Sequence, residues 1–305
     1  MKAKYITHYV TIIAILFFSS ACGLKKTATK ITTQVFYDAT PSMDEESDVD
    51  LASHASLAFL KMLDSFYLQN PKDKTTLLLL TRAYSSYAYG FTENAILEAQ
   101  DLTQQKKSKT RAKEFYRRAK KAAMELLDQK GLSKARQSSL EAWKKALKGK
   151  GKKDLEDLFW IAFAWGNYLN WHKDDIAAIG EIPKVQSLME RVYELDPNYY
   201  HGGPSLLLGG FYASRPPMLG GQPKLAKEFF EQALEANQGQ HLMAKVAYAQ
   251  FYAVQTQKRE LFNRLLNEVI QGDAEAKKEL ILSNKLAKIR AKLLLKKADN
   301  FFATN

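Results

Sequence analysis

The sequence predicts an all-α fold, an array of helical hairpins closed by a long C-terminal helix. Three observations carry that reading. Beyond residue 50 the apolar residues recur at spacings of three and four, the period of one helix face, and no alternating strand pattern occurs. Pro and Gly fall almost entirely at the joints between such segments, as at Pro71, at Pro197 and in the run from Arg215 through Pro216, Pro217, Gly220 and Gly221. Apolar triplets also repeat: Val185, Met189 and Val192 before Pro197 match Phe59, Leu63 and Phe66 before Pro71, and Ala226, Phe230 and Ala233 share the spacing.

Taken in order, the chain opens on Lys2 and Lys4, an apolar run from Tyr5 to Phe18, and small residues Ser19, Ser20 and Ala21. A positive start, an apolar stretch of about fourteen residues and small residues before the cut describe a secretory signal over 1–21, too short to span a membrane comfortably. Cys22, the single cysteine, follows in the manner of a lipobox, which makes its thiol the candidate lipidation site. One cysteine allows no internal disulfide, so the fold has to rest on packing in an oxidising compartment. Gly23 offers no acidic retention signal for the inner membrane, which favours the outer one. Residues 22–50 are polar, aperiodic and acidic toward their end, and read as a lipid-anchored flexible tether. Residues 51–305 then form a helical domain, with predicted helices at 51–69, 75–92, 108–129, 133–148, 154–171, 184–195, 199–213, 223–236, 241–256, 259–271 and 275–302. A composition of 46% hydrophobic and 26% charged residues in 305 is ample for a soluble core.

Within the domain, Gly166 with Leu169 and Gly209 with Tyr212 supply a close-approach glycine and a large residue ahead of the repeated triplets. This is the arrangement of degenerate tetratricopeptide-like hairpins, an α-solenoid-like array. The last helix carries a seam of Leu280, Asn284, Ala287, Ala291, Leu294, Ala298 and Phe301. Asn284 is its polar member, suited to pairing with a helix end or a loop carbonyl. The seam reads as a closing face in preference to a contact between subunits.

Charge and aromatic content narrow the function. Residues 105–153 hold eighteen Lys and Arg against four acids, more than the excess of the whole chain, +12. Such a stripe attracts phosphates in the cytoplasm, but an exported protein meets little nucleic acid. A solvated face, anionic lipid headgroups or an acidic partner remain. Trp160, Phe163, Trp165, Tyr168 and Trp171 follow directly, then Tyr199, Tyr200, Phe211 and Tyr212. These rings either fill the core between hairpins or line an apolar ligand cleft, for which Trp165, Trp171, Tyr200, His201 and Tyr212 are the candidate ligand-binding residues. Enzymatic signals are poor. The five His are scattered, His172 with Asp174 and Asp175 fits no standard metal spacing, and the glycine pairs lack the Lys and Ser or Thr of a phosphate loop. No catalytic residue, metal or cofactor is expected.

The stretches GNYLNW, LDPNYYHGG, PPMLGGQPKLAKEFFEQALE and LSNKLAKIRAKLLL, with RAKEFYRRA and QKRELFNRLLNEV, resemble the T-component (TatT) lipoproteins of tripartite ATP-independent periplasmic (TRAP) transporters. The resemblance runs from about residue 51 to the C-terminus, and departs from the common pattern at Ser19, Ser283 and Lys285. It implies a periplasmic lipoprotein of tetratricopeptide-like hairpins and a homotrimer with a central passage. It further implies pairing with an extracytoplasmic solute-binding P-component and a small hydrophobic ligand. The alternative from the residues alone is an envelope scaffold that assembles proteins and binds no small molecule.

Overall fold

A computed structural model describes residues 25–302; the expected signal and Cys22 lie outside the described residues. Among the described residues the regular structure is helical and no strand occurs. The expected tether is the first difference. Residues 25–38 form helix α1 and Pro41–Asp44 form the short α2, both packed on the domain. Buried Thr33 donates to Asp73 Oδ2 at 3.0 Å, Tyr37 Oη donates to Glu156 at 2.6 Å, and Phe36 packs on Phe59 with ring centroids 5.6 Å apart. Polar composition suggested a tether, but Phe36, Tyr37 and Met43 give these turns an apolar face that pays for their order.

The body follows as α3 (Val49–Gln69), α4 (Lys74–Tyr87), α5 (Glu93–Glu98) and α6 (Leu102–Gln129). Next come α7 (Ser133–Gln137), α8 (Leu140–Lys148), α9 (Leu155–Trp171), α10 (Ile176–Gly180) and α11 (Ile182–Leu195). The last are α12 (Tyr199–Ala213), α13 (Pro223–Ala236), α14 (Leu242–Ala247), α15 (Arg259–Gln271) and α16 (Ile281–Lys296). Several starts are written in the sequence. Asp48, Asp73, Asp101 and Ser139 accept backbone N–H groups that the first turns of α3, α4, α6 and α8 leave unpaired. Pro223 occupies the first turn of α13, where its missing N–H costs nothing.

Successive helices pack on one another, and the repeated triplets show how. In α9 a Cβ on Gly166 would fall 2.4 Å from Met189 Cε, and in α12 one on Gly209 would fall 3.1 Å from the Phe230 ring. Each glycine therefore seats the middle residue of the triplet on the helix that follows, with Val185 and Val192, or Ala226 and Ala233, buried beside it. Two segments widen into π turns. A π turn at Ala88–Thr92 joins α4 to α5, and another at Tyr248–Ala253 continues α14. Both supply cavity-lining residues, among them Tyr89, Gly90 and Phe251.

The last helix returns to the first ones. α16 packs on α14 and α15 and also meets α2, α3 and α5. Its predicted seam faces this chain: Asn284, Ala287, Ala291 and Leu294 are buried. Asn284 Oδ1 accepts from Leu242 N–H at 2.9 Å, capping α14, while its amide donates to the carbonyls of Gln240 and Ala274. Six residues on, Arg290 is fully buried and crosses to the π turn and α5. Its Nε donates to Asn94 at 2.6 Å, Nη1 to Glu93 at 3.3 Å and Nη2 to the Tyr89 carbonyl. Glu93 also accepts from Tyr116 Oη at 2.6 Å and from the Trp171 indole at 3.1 Å. Closure thus rests on a buried ion pair with its polar atoms matched, the condition under which burying charge is tolerated.

The basic segment is less uniform than its composition. Lys120 pairs with Glu181 at 2.6 Å, and Lys130 bridges Asp154 and Asp157 at 2.5 and 2.9 Å. These cations tie the α6 end of the segment to Glu181 ahead of α11 and to the start of α9, and much of the remainder is exposed.

Candidate functional site

The helices enclose a cavity of about 540 Å³ with contributions from α1 through α4, α9, α11, α12, α14 and α16. Its volume falls in the range of small-molecule sites, roughly 300–1,000 Å³. The walls are mostly apolar: Leu79 and Ala83 from α4, Phe159, Trp160 and Phe163 from α9, Leu206 and Leu207 from α12, and Leu286 from α16. α9 reaches it because of its composition. With eleven buried residues spread round its circumference it packs on several neighbours at once, and the face carrying Phe159, Phe163, Gly166 and Asn170 is left to the cavity.

Polar groups enter at separate points. Arg82 lies over the rings of Trp160 and Tyr200, 5.2 and 5.8 Å from their centroids, and pairs with Asp44 at 2.6 Å. Burial pushes the Asp44 carboxyl up against the opposing pull of Arg82. His241 stands near Ser283, with Nε2 at 3.3 Å from its Oγ and Nδ1 buried without a partner. Burial, then the nearby His201, bring its pKa down to about 4, so the ring is neutral near neutral pH. At a third point stands Arg215, 6% exposed, with its guanidinium 3.9 Å from the Phe211 centroid. Burial brings its pKa down to about 10, leaving it charged at neutral pH.

The start of α12 is held in an unusual backbone. Tyr200, His201 and Gly202 have φ of 46°, 58° and 80°, a left-handed turn inserted before the regular helix resumes at Gly203. For the two residues with side chains this costs roughly 1–2 kcal/mol each. The surroundings offset it. Tyr200 packs against Phe159 and Trp160 at 5.5 and 5.1 Å, and the Asn237 amide donates to the His201 carbonyl. The turn directs the Tyr200 ring at Arg82 and the cavity.

Of the five residues singled out from the sequence, the structure brings Tyr200 to the cavity wall and leaves the other four off it. Trp165 is wholly buried against Trp143, and its indole donates to Glu181 at 2.7 Å. Trp171 stacks on Tyr116 and donates to Glu93, which makes it part of the closure. Tyr212 stacks on Phe229 and bonds Glu190, its pKa pushed up to about 12 by burial and then by that carboxylate. His201 sits behind Tyr200, 6.3 Å from the His241 ring. Each indole and phenol found a partner in its own helical layer, the ordinary fate of such groups when buried. Sequence reasoning missed Arg82, Asp44, Asn170 and Arg215. For Arg215 one signal was present, a lone Arg closing the apolar run from Leu206 to Ala213, four residues after Phe211.

No group of three or more His, Cys, Asp or Glu able to hold a metal ion occurs among the described residues, and no helix among them is long and apolar enough to cross a membrane. In comparison with known proteins, the sequence model of a family described as TRAP transporter T-component matches residues 45–302. An uncharacterized protein of Treponema pallidum (strain Nichols) is 24% identical over 270 residues, covering 87% of this chain and 84% of that one.

Proposed function

We propose, on the premise that this chain belongs to the TRAP transporter T-component family, that it holds or passes a small hydrophobic ligand in its central cavity on behalf of that transport system. The observation that carries the reading is the cavity, about 540 Å³ with mostly apolar walls drawn from helices along the whole length of the described chain. In the fuller form of the proposal the chain is a periplasmic lipoprotein, acylated at Cys22 and attached to the outer membrane. It assembles as a homotrimer of tetratricopeptide-like hairpins and docks the solute-binding P-component, which delivers or receives the ligand. The family's transport role and the pairing of every cavity acid with a structural partner or solvent support a binding part without chemistry of its own.

Native mass spectrometry of the gently purified protein tests both parts. A retained apolar molecule that is lost from Ala83→Trp, whose indole would fill the cavity, supports the ligand reading. Threefold mass supports the trimer. An empty monomer from every preparation would favour the scaffold reading, in which the helical array assembles envelope proteins without a ligand.

A further inference from the structure

The cavity contains one charge that the protein does not answer. Arg215 donates from Nη1 to the Phe211 carbonyl at 2.9 Å and to Ser214 Oγ at 3.2 Å, and from Nη2 to Asn170 Oδ1 at 3.3 Å. All three acceptors are neutral. No carboxylate of the described residues lies within ion-pair distance, and burial alone accounts for the lowered pKa. Its Nε makes no hydrogen bond among the described residues. With Nη2 that atom forms the side-on edge of the guanidinium, where a carboxylate seats two parallel hydrogen bonds. Asn170 turns its oxygen to Arg215 and Ser214, which leaves its NH2 group as a further donor beside that edge. Lys173, exposed nearby, donates to the Ser214 carbonyl and adds a second cation without an ion-pair partner among the described residues.

The other buried arginines differ. Arg82 is matched by Asp44 and Arg290 by Glu93, so neither has charge to spare for a ligand. Arg82 marks the cavity near Trp160, and Arg215 marks it near Asn170. Ten residues of α9 separate those points, about 15 Å of helix rise. Apolar side chains such as Phe163 and Leu207 line the space between.

We propose that the ligand is an amphipathic carboxylate, its headgroup held by Arg215 and Asn170 and its apolar chain lying along α9 toward Trp160. This rests on the ligand-binding reading above and narrows it to a chemical class. A neutral hydrocarbon would leave the guanidinium desolvated and unmatched, whereas a carboxylate supplies the missing counter-ion.

The test uses the full chain with Cys22→Ser, which keeps it out of detergent, stripped of bound lipid. Displacement of the neutral dye phenylnaphthylamine is compared for laurate, lauryl alcohol and lauryltrimethylammonium at neutral pH. Laurate is expected to displace the dye at a concentration about tenfold below the alcohol, the scale of one charge-assisted hydrogen bond, and the cation to be the weakest. In Arg215→Met the ratio of laurate to alcohol affinity should fall to about one. Asn170→Asp provides an independent check if Arg215→Met fails to fold, because it keeps Arg215 and gives it an internal counter-ion. It should lose the same preference and melt at a higher temperature than the parent. Equal displacement by laurate and alcohol, or a preference that survives both substitutions, would overturn the carboxylate assignment and leave the hydrophobic cavity standing. Failure of the dye and all three lipids to bind the parent would overturn both.

Discussion

Two regions of this molecule bury arginine, and they do so in opposite ways. At the closure, Arg290 meets Glu93, Asn94 and the Tyr89 carbonyl, and Glu93 in turn satisfies Tyr116 and Trp171. At the cavity, Arg215 meets neutral oxygens alone. A matched charge holds a fold in register and becomes costly when one partner is removed. An unmatched charge costs stability from the outset and is useful when something else arrives to match it. Damage at the closure should therefore appear in folding, and damage at the cavity in binding.

The largest expected effect is at the closure. Glu93→Gln leaves Arg290 buried without its counter-ion and should cost about 3–5 kcal/mol, read as a lower urea midpoint, with dye affinity unchanged in the protein that remains folded. A stability within error of the parent would mean that the closure does not depend on the ion pair. Next comes Asn284→Ala, which strips the cap from Leu242 N–H and the partner from two loop carbonyls. It should cost about 1–3 kcal/mol in the same measurement, and an unchanged midpoint would remove α14 from the closure.

The pH dependence of His241 sits between the two regions. Its pKa is about 4 in the fold against an ordinary 6.5, so the unfolded chain takes up the proton first as pH falls. The contribution of this group to stability is whole above about 6.5, falls as the pH drops toward about 4, and changes no further below that. His201, Lys277 and Ser283 surround it, and His201 and Lys277 oppose its protonation. His241→Gln should flatten the melting profile across that window, and parallel profiles would assign the acid sensitivity elsewhere. The smallest effect on stability belongs to Arg215→Met. Its melting temperature should equal or exceed that of the parent, since no pair is broken, and a clear loss would show that Arg215 is a structural residue like Arg290.

The same contrast explains what the sequence disclosed. Most helices from α3 to α16 were legible because their apolar spacing and the prolines at their joints are local signals, and the seam of α16 was visible from its four-three spacing about Asn284; the short α5 and α10 fell between the expected helices, and α7 and α8 were read as one. α1 and α2 were not, because their order comes from Phe36 and Tyr37 meeting α3 and α9, contacts distant in sequence. Of the aromatic candidates, Tyr200 lines the cavity while Trp165 and Trp171 pack elsewhere, since an aromatic side chain advertises bulk and not the direction in which it points. The cavity's polar groups come from α2, α4, α9, the end of α12, the start of α14 and α16, which no spacing rule connects. Arg215 was readable as a helix end. Its isolation from every carboxylate is a property of three dimensions.

The turn after Arg215 has a mechanical consequence. A Cβ on Gly221 would stand 1.8 Å from the Arg215 carbonyl oxygen, and Gly220 needs a φ of 84°. Between them and the arginine, Met218 projects almost fully into solvent. The proposed headgroup site and the outer surface are thus joined by a turn of three residues packed against the Arg215 backbone, and a backbone shift at Arg215 would be passed to Met218. A dye attached at Met218→Cys in the Cys22→Ser chain, where it is the single thiol, would report occupancy of the cavity from the outer surface.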